Sequence, residues 1–330
     1  MERELRRLAE EHAFSGVVAV EHDGELGAWA FGEADRAHRI PNTVEHRFGI
    51  ASGTKTFTAL AVLSAVADGA LDLDRPVRDL LADDLPAVDD RVTLRHLLHH
   101  RSGIGDYFDE DADADPLDYP MRVPVHTLDG SAGYLRALEG YPQKFAPGTD
   151  FSYCNSGYVL LGILLERATG TTYHDAVRTR VVEPAGMIST AFLRTDELPG
   201  DAAIGYLHDD GLRSNVLHLP VLGFGDGGIF TTAADVHRLW AALADDRLGA
   251  DVLDTVTAPP SPGARYGMGM WLDERPGVAK MEGMDAGASF ASTRYADGST
   301  FTVLSNTTGG AWPVARHLAA ALADDDAGPR

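Results

Sequence analysis

A serine and a lysine three positions apart are the residues of this sequence best suited to covalent chemistry. Ser52 and Lys55 lie at the start of an apolar stretch with helical spacing, which runs from Thr54 to Asp68 and ends at Gly69. Side chains three residues apart share one face of a helix, so the amine can reach the hydroxyl. A serine hydroxyl becomes a nucleophile when a base removes its proton, and a lysine whose pKa is lowered by burial can be that base. The pair suits a serine nucleophile, but taken alone it is more typical of a plain helix start with Ser52 as its cap and Lys55 in solvent.

A second segment carries a phenol and an amide farther along the chain. Tyr153 and Asn155 stand in the run FSYCNSGY, at the start of another apolar stretch of helical spacing that ends at Gly170. With both segments, the chain resembles the serine β-lactamase and penicillin-binding-protein superfamily, in which S-x-x-K is a known motif. It is most similar to the branch that contains class C β-lactamases, D,D-carboxypeptidases, D-aminopeptidases and esterases, whose second motif is Y-x-N. Other matching segments follow in the family's order, between residues 14 and 323: 69–74, 95–103, 147–148, 157–162 and 227–232.

The resemblance implies a role for each polar residue of the two motifs. It assigns Ser52 as the nucleophile and Lys55 as its partner. It assigns Tyr153 as a phenoxide-like base that also protonates the leaving group, and Asn155 as the residue that binds the substrate carbonyl and orients Lys55. The backbone N–H groups of Ser52 and Met284 would form the oxyanion hole, in which each donor is worth about 3 kcal/mol in the transition state.

The third motif of the family, K-T-G or H-x-G, is altered in this chain. Its best match is Met281-Glu282-Gly283, which keeps the glycine and lacks the cationic first residue. In relatives that cation helps to hold a substrate carboxylate, so its replacement by Met281 disfavours β-lactams and peptides that end in D-Ala-D-Ala. We interpret Glu282 as favouring a cationic substrate group instead, such as a free amine. The backbone donors near Gly283 do not depend on the altered side chain.

Strand-like runs at both ends of the chain and helices between them indicate how these residues are positioned. Two apolar runs, 16–21 and 26–31, flank an Asp-Gly pair and predict a hairpin. Four more runs with strand periodicity lie near the other end: 266–273, 277–283, 287–295 and 300–306. Helical periodicity is clear in four further segments: 2–12, 93–100, 231–244 and 312–323.

This order of elements predicts an α+β fold, an α/β sandwich. We expect an antiparallel sheet of about five strands, drawn from both chain ends, with the terminal helices covering one face each. A mainly helical region is inserted between the two parts of the sheet. In residue terms, 1–75 and 225–330 form the sheet region, 76–224 form the inserted helical region, and together they make one compact catalytic unit.

Composition and charge exclude several classes of protein. Asp and Glu number 50 against 28 Lys and Arg, and the resulting net charge of −22 disfavours nucleic acid and anionic membranes as partners. The longest apolar run, 158–165, is too short to span a bilayer. The charged start of the sequence does not resemble a secretory signal, and Cys154 is the single cysteine, which excludes an intrachain disulfide. We therefore expect a cytoplasmic enzyme.

Two further patterns are interpreted as structural. Residues 223–228 satisfy G-x-G-x-x-G, but no βαβ unit surrounds them, so we expect a close-packed glycine turn beside the active site. His96, His99 and His100 share helical spacing without the partner residues of a zinc site. No metal and no organic cofactor are expected.

The sequence as a whole predicts a serine hydrolase that acts on a small ester or amide, D-amino-acid peptides included, through an acyl-enzyme on Ser52. Its expected partner is that small-molecule substrate, and the loops 105–130 and 205–226 are expected to select it. A β-lactamase or a D,D-peptidase is the alternative among enzymes. A non-catalytic relative that binds a ligand or assembles with partners is the alternative from another class.

Overall fold

A six-stranded antiparallel sheet joins the two ends of the chain. The structure, a computed structural model, describes residues 1–22, 24–110, 115 and 117–325. The strands lie in this spatial order: β2 (Glu25–Phe31), β1 (Gly16–His22), β11 (Thr300–Ser305), β10 (Ala288–Arg294), β9 (Ala279–Asp285) and β8 (Trp271–Leu272). The predicted α+β fold is confirmed, with five longer strands and a sixth of two residues.

Alternation of side chains fixes the register of the central strands β1 and β11. They pair antiparallel, with Gly16 opposite Ser305. Val17 faces one core and Val18 the other, because successive side chains of a strand point to opposite faces. Burial of both faces explains the nearly continuous apolar run of β1. The predicted hairpin of β1 and β2 is confirmed, although Asp23 in its turn lies outside the described residues.

The predicted strand 266–273 joins the sheet only at its end, as β8. The residues before β8 bend against the helix α2 (Thr54–Ala67). Gly269 has a φ of +83°, and a Cβ at this position would lie 2.8 Å from the Cβ of Ala59. Glycine is the residue that combines a left-handed φ with such a close approach. The prediction of a full strand is therefore wrong for the residues before β8, because packing against α2 bends the backbone there.

The remaining regular structure of the described residues is mainly helical. The α-helices are, in order, α1 (Glu2–Glu11), α2 (Thr54–Ala67), α3 (Arg78–Leu81), α4 (Leu94–Leu98), α5 (Ser131–Ala137), α6 (Asn155–Thr169), α7 (Tyr173–Val177), α8 (Glu183–Ala185), α9 (Ala233–Ala244), α10 (Val252–Thr257) and α11 (Ala311–Asp325). There are also 3-10 helices at Ala51–Gly53 and Val125–Thr127, and a π-helix at Arg178–Val182. Short strands form two small sheets, β3 (Glu33–Asp35) with β4 (Ile40–Pro41), and β7 (Ile229–Thr231) between β5 (Phe48–Gly49) and β6 (Ala191–Phe192).

The two terminal helices lie on the same face of the sheet. Leu5 of α1 and Leu318 of α11 share one apolar cluster with Val18 of β1. The other face packs in the main core with α2 and α9, and this core includes both Val17 and Trp240. The expectation that each terminal helix covers its own face is therefore wrong. One sheet face takes the apolar stripes of both terminal helices, while the opposite face merges with the core of the middle region.

The middle of the chain supplies α6, a helix buried around most of its circumference, which packs on α2 and α4. It ends at Gly170, whose φ of +68° forms the left-handed C-cap. The division into a sheet region and an inserted helical region stays a prediction. Among the described helices, none has the length and apolar character needed to cross a bilayer. The cytoplasmic location also stays a prediction.

Candidate active site

Ser52 lies where the chain passes from β5 into α2. It occupies the 3-10 helix Ala51–Gly53, which begins at Ala51 in the left-handed region, with a φ of +46°. The hydroxyl of Thr54 donates to the carbonyl oxygen of Ala51 at 2.7 Å and stabilises this turn. A residue other than glycine at positive φ is strained and persists where its surroundings fix it. The turn therefore fixes the direction of the Ser52 side chain.

Lys55 meets Ser52 as the sequence spacing predicts. Its Nζ lies 2.8 Å from Ser52 Oγ, 2.8 Å from Asn155 Oδ1 and 2.9 Å from the carbonyl oxygen of Asp226. The lysine is only 1% exposed, and burial lowers its pKa against the opposing effect of nearby carboxylates. A neutral amine can donate its two hydrogens to the two carbonyl oxygens, which leaves its lone pair for the serine hydroxyl. This geometry suits a general base.

Asn155 is oriented by its amide group and by its backbone. Its Nδ2 donates to the carbonyl oxygen of Phe108 at 3.0 Å and to Glu110 Oε1 at 3.2 Å, which turns Oδ1 toward Lys55. Its backbone N–H donates to Asp106 Oδ2 at 2.7 Å, so Asp106 caps the start of α6 from another segment. Burial raises the pKa of the Asp106 carboxyl to about 6 despite the hydrogen bonds that it accepts. The amide oxygen is thus held in place from two directions.

Tyr153 completes the polar group around Ser52. Its hydroxyl lies near the Ser52 side chain, and Lys55 Nζ lies 4.9 Å from its ring centroid. Trp271 stacks on the Tyr153 ring at 5.7 Å with an interplanar angle of 8°, and His100 packs at 4.3 Å. Burial raises the pKa of Tyr153 well above its usual value, so the free site holds a neutral phenol. The structure thus brings together the four motif residues that the sequence singled out.

Two of the histidines noted in the sequence have structural partners. His100 Nδ1 accepts a hydrogen bond from the backbone N–H of Cys154 at 3.0 Å. His99 Nδ1 lies 2.9 Å from the carbonyl oxygen of Gly267. Burial lowers the pKa of His100 well below its usual value and lowers that of His99 to about 4, so both rings are neutral near pH 7. Both side chains therefore hold the loops around the site.

Strand β9 packs directly against the turn that carries Ser52. A Cβ at Gly283 would lie 2.8 Å from the backbone nitrogen of Ser52 and 2.3 Å from the carbonyl oxygen of Ile50. Glycine is the residue without the Cβ that would clash there. Met284 follows in the strand, and both Met284 and Ser52 line the cleft. Gly283 therefore sets the distance between the two backbone segments that were predicted to form the oxyanion hole.

Replacing Gly283 with alanine is expected to lower kcat/KM for a p-nitrophenyl ester by about 10²-fold, the loss typical of one misplaced oxyanion donor. The added methyl group would push β9 away from the Ser52 turn and separate the two backbone donors. Steady-state kinetics measures the effect. Gly200→Ala is a matched control, because a Cβ at Gly200 meets nothing within 4 Å. Wild-type kcat/KM in Gly283→Ala would show that the close approach has no part in catalysis.

The residue at the cationic position of the third motif points into the core. Met281 is 1% exposed and belongs to the main apolar cluster. Apart from Lys55, the described residues around Ser52 in the cleft include neither an arginine nor a lysine. Glu282 lines a pocket with Met284 and Trp312 that also reaches Ser52, and burial raises the pKa of its carboxyl. The substrate-binding role of Glu282 stays a prediction.

Several side chains of the cleft were not singled out from the sequence. They are Tyr107, Phe108 and Glu110 from the loop 105–130, His218, Leu219 and Asp226 from the loop 205–226, and Asp285 from β9. Part of the first loop, 111–114 and 116, lies outside the described residues. The glycine turn 223–228 is close-packed as predicted, since a Cβ at Gly225 would lie 2.0 Å from the carbonyl oxygen of Tyr158. An aspartate within this glycine-rich turn is the sequence feature that could have marked Asp226 as a residue of the site.

Comparison with known proteins identifies the family. The Beta-lactamase family profile matches residues 1–325. The putative penicillin-binding protein PbpX of Bacillus subtilis is 26% identical over 305 residues, which cover 92% of this chain and 73% of PbpX. A D-aminopeptidase of Brucella anthropi is 33% identical over 284 residues, which cover 79% of this chain and 49% of that enzyme. The crystal structure of a penicillin-binding protein from Bacillus halodurans matches with a TM-score of 0.89 at 34% identity, over 96% of this chain and 99% of that chain.

The chain belongs to the Beta-lactamase family. The resemblance drawn from the motifs is confirmed, and penicillin-binding proteins, D-aminopeptidases and an esterase all occur among the relatives. Its prediction as an enzyme is confirmed at the level of the family, since such peptidases and esterases are hydrolases. The chain spans about half the length of several of these curated relatives.

Proposed function

We propose that the protein is a serine hydrolase that cleaves a small ester or amide through an acyl-enzyme on Ser52. The observation that carries the proposal is the buried Lys55 amine, 2.8 Å from Ser52 Oγ, with carbonyl acceptors for its other hydrogens. The D-aminopeptidase and esterase relatives support the same class of reaction. Esters, amides and short peptides of D-amino acids are therefore the first substrates to test.

Acylation begins with a proton transfer from Ser52 to Lys55. The neutral amine accepts the hydroxyl proton while Ser52 Oγ forms a bond to the carbonyl carbon of the substrate. The carbonyl π electrons move to the oxygen, and the oxyanion accepts hydrogen bonds from the backbone N–H groups of Ser52 and Met284. Asn155 Oδ1 and the carbonyl oxygen of Asp226 hold the ammonium that forms on Lys55.

Tyr153 carries the proton to the leaving group. When the tetrahedral intermediate collapses, its phenol donates a proton to the leaving oxygen or nitrogen and recovers one from Lys55. Its raised pKa suits such a relay better than a lasting phenoxide. Water then attacks the Ser52 ester, its proton passes through the same groups to Ser52 Oγ, and the acid product leaves. Each group ends in its starting protonation state.

The two alternatives from the sequence are less well supported. Recognition of a β-lactam or a D,D-peptide in relatives uses a cation at the first position of the third motif, and Met281 is buried in the core instead. A relative that only binds ligands would have no need for the buried Lys55 beside a serine, and burying an ionisable group is costly. A role for Lys55 as the catalytic base explains why the protein buries this amine despite the cost.

Covalent labelling tests the proposed function. A fluorophosphonate should add one phosphonyl group to the folded protein, and trypsin digestion should place it on the peptide 48–55, in which Ser52 is the one serine. The rate of p-nitrophenyl acetate hydrolysis should decrease in proportion to the fraction of protein that is labelled. A label on another peptide, or full esterase activity in fully labelled protein, contradicts the proposal. Rapid hydrolysis of nitrocefin would favour the β-lactamase alternative over it.

A further inference from the structure

Four carboxyl groups surround the buried lysine of the site. Asp106, Glu110, Asp226 and Asp285 all act on Lys55 electrostatically. One amine cannot neutralise four carboxylates, and a buried charge without a partner is costly. The first two accept hydrogen bonds from backbone and side-chain amide groups at the start of α6. Of the four, Asp285 interacts least with Lys55, so it is the carboxyl most in need of a further cationic partner.

The side chain of Asp285 projects from the face of β9 that packs against the turn at Ser52. Residues two apart in a strand share a face, so Asp285 projects to the same side as Gly283, which contacts the backbone of Ser52. Its Oδ1 accepts a hydrogen bond from the backbone N–H of Ala286 at 2.8 Å. Within the described ranges, no lysine, arginine or histidine forms an ion pair with Asp285. Burial raises the pKa of Asp285 to about 7, as expected for a carboxyl without a cation at contact distance.

Asp226 presents its carboxylate to the same space. The residue is 8% exposed, and the hydroxyl of Tyr107 donates to its Oδ2. Its own backbone N–H is a second donor to this carboxylate, which can accept about four hydrogen bonds and so keeps acceptor capacity. Asp226 and Asp285 line both the cleft that contains Ser52 and the pocket that adjoins it. Two carboxylates with unused acceptor capacity thus border one space beside the nucleophile.

We propose that Asp285, together with Asp226, binds a protonated amine on the carbon next to the scissile carbonyl. This inference rests on the proposed function and names its substrate class. In the oxyanion hole the substrate oxygen would meet the N–H of Met284, the residue directly before Asp285. An α-amine is two bonds from the carbonyl carbon, which keeps it close to the next side chain of the strand. The substrates are therefore α-amino esters, α-amino amides or peptides with a free amino terminus.

The same geometry separates this amine site from Glu282. Neighbouring residues of a strand point to opposite faces, so the odd-numbered Asp285 and the even-numbered Glu282 project from opposite sides of β9. Glu282 lines a pocket together with Trp312, and that pocket also reaches Ser52. The pocket that Glu282 lines does not include Asp226 or Asp285. The sequence interpretation of Glu282 thus competes with this inference, and mutation can decide between the two.

Matched substrates test the inference without any mutation. D- and L-alanine methyl esters are compared with methyl propionate, which has the same acyl skeleton without the amine, by pH-stat at neutral pH. Each kcat/KM is divided by the rate of alkaline hydrolysis of that ester, which corrects for intrinsic reactivity. We expect the better alanine ester to exceed methyl propionate by about 10²-fold, the size of charge-assisted hydrogen bonds to one ammonium. Equal values, or a preference for methyl propionate, would overturn the inference.

Carboxylate-to-amide variants then locate the amine site. Asp285→Asn should lower the alanine-to-propionate ratio by at least about tenfold, because the amide keeps an acceptor for the Ala286 N–H and removes the charge. Asp254→Asn, an exposed position on α10, controls for the loss of one negative charge and should keep the wild-type ratio. A collapse of the ratio in Glu282→Gln, with an unchanged ratio in Asp285→Asn, would overturn the assignment.

The experiment distinguishes failure of the amine site from failure of the proposed function. A protein that hydrolyses p-nitrophenyl acetate, takes the label on Ser52 and yet shows a substrate ratio near one retains the proposed function and refutes the amine site. Thermal unfolding checks each variant. If Asp285→Asn does not fold, the ratio measured with the wild-type protein still decides the matter.

Discussion

Replacing Ser52 with alanine is expected to lower kcat/KM for p-nitrophenyl acetate by at least about 10⁴-fold, because no other group can form the acyl intermediate. The backbone donors and the cleft remain, so a small residual rate above water is expected. The change removes one hydroxyl that hydrogen-bonds Lys55 and lies near Tyr153, and Tm should stay within a few degrees of the wild-type value. Spectrophotometric release of p-nitrophenolate and a thermal melt measure the two effects.

A second serine on the same helix provides the control for that experiment. Ser64 lies in α2 and accepts a hydrogen bond from Arg180, away from the cleft. Ser64→Ala should keep the wild-type kcat/KM and should still take the fluorophosphonate label. If Ser52→Ala retained more than about a tenth of the activity, the nucleophile would have to be sought elsewhere.

Replacing Lys55 with arginine is expected to lower kcat/KM by about 10³-fold to 10⁴-fold. Arginine keeps the positive charge but cannot lose a proton in this pH range, so it cannot take the proton of Ser52. The change therefore separates a base from a charge that merely stabilises the site. Steady-state kinetics with p-nitrophenyl acetate measures the loss, and fluorophosphonate labelling should slow by a similar factor, because it needs the same activated hydroxyl.

The pH dependence of kcat/KM is expected to follow the protonation state of Lys55. The reactive form of Lys55 is the neutral amine, and a neutral amine forms as pH rises through the lysine pKa. Burial lowers that pKa, so kcat/KM should rise with pH and reach its plateau below the ordinary range of lysine titration. Lys280→Arg is a suitable control, since Lys280 pairs with Asp273 at 2.6 Å and can be replaced by another cation. An activity that falls as pH rises over the same range would contradict Lys55 as the base.

Local spacing explains why the catalytic motifs could be predicted from the sequence. Ser52 and Lys55 are neighbours on one helical turn, so their contact needs no tertiary information beyond the helix itself. Tyr153 and Asn155 flank the start of α6, and family resemblance supplied the pairing of the two segments. The fold class followed from strand periodicity at both ends of the chain.

The positions of Asp226 and Asp285 in the site could not be predicted in the same way. Asp226 reaches the site because a glycine turn closes tightly, and Asp285 because the register of β9 turns it toward the Ser52 side. Both facts depend on backbone packing between distant segments. The shared face of the terminal helices was also missed, because an amphipathic pattern shows that a helix has a buried side but not which surface covers it.

The pairing of β1 with β11, and the contact of β9 with the turn at Ser52, have a consequence for biosynthesis. A ribosome releases the serine and its lysine long before it releases Gly283, so a growing chain carries the nucleophile without an oxyanion hole. Contacts between such distant segments raise the contact order and slow folding. The active site is therefore expected to form late, after most of the polypeptide has been made. Until then β1 has an unpaired edge that can aggregate.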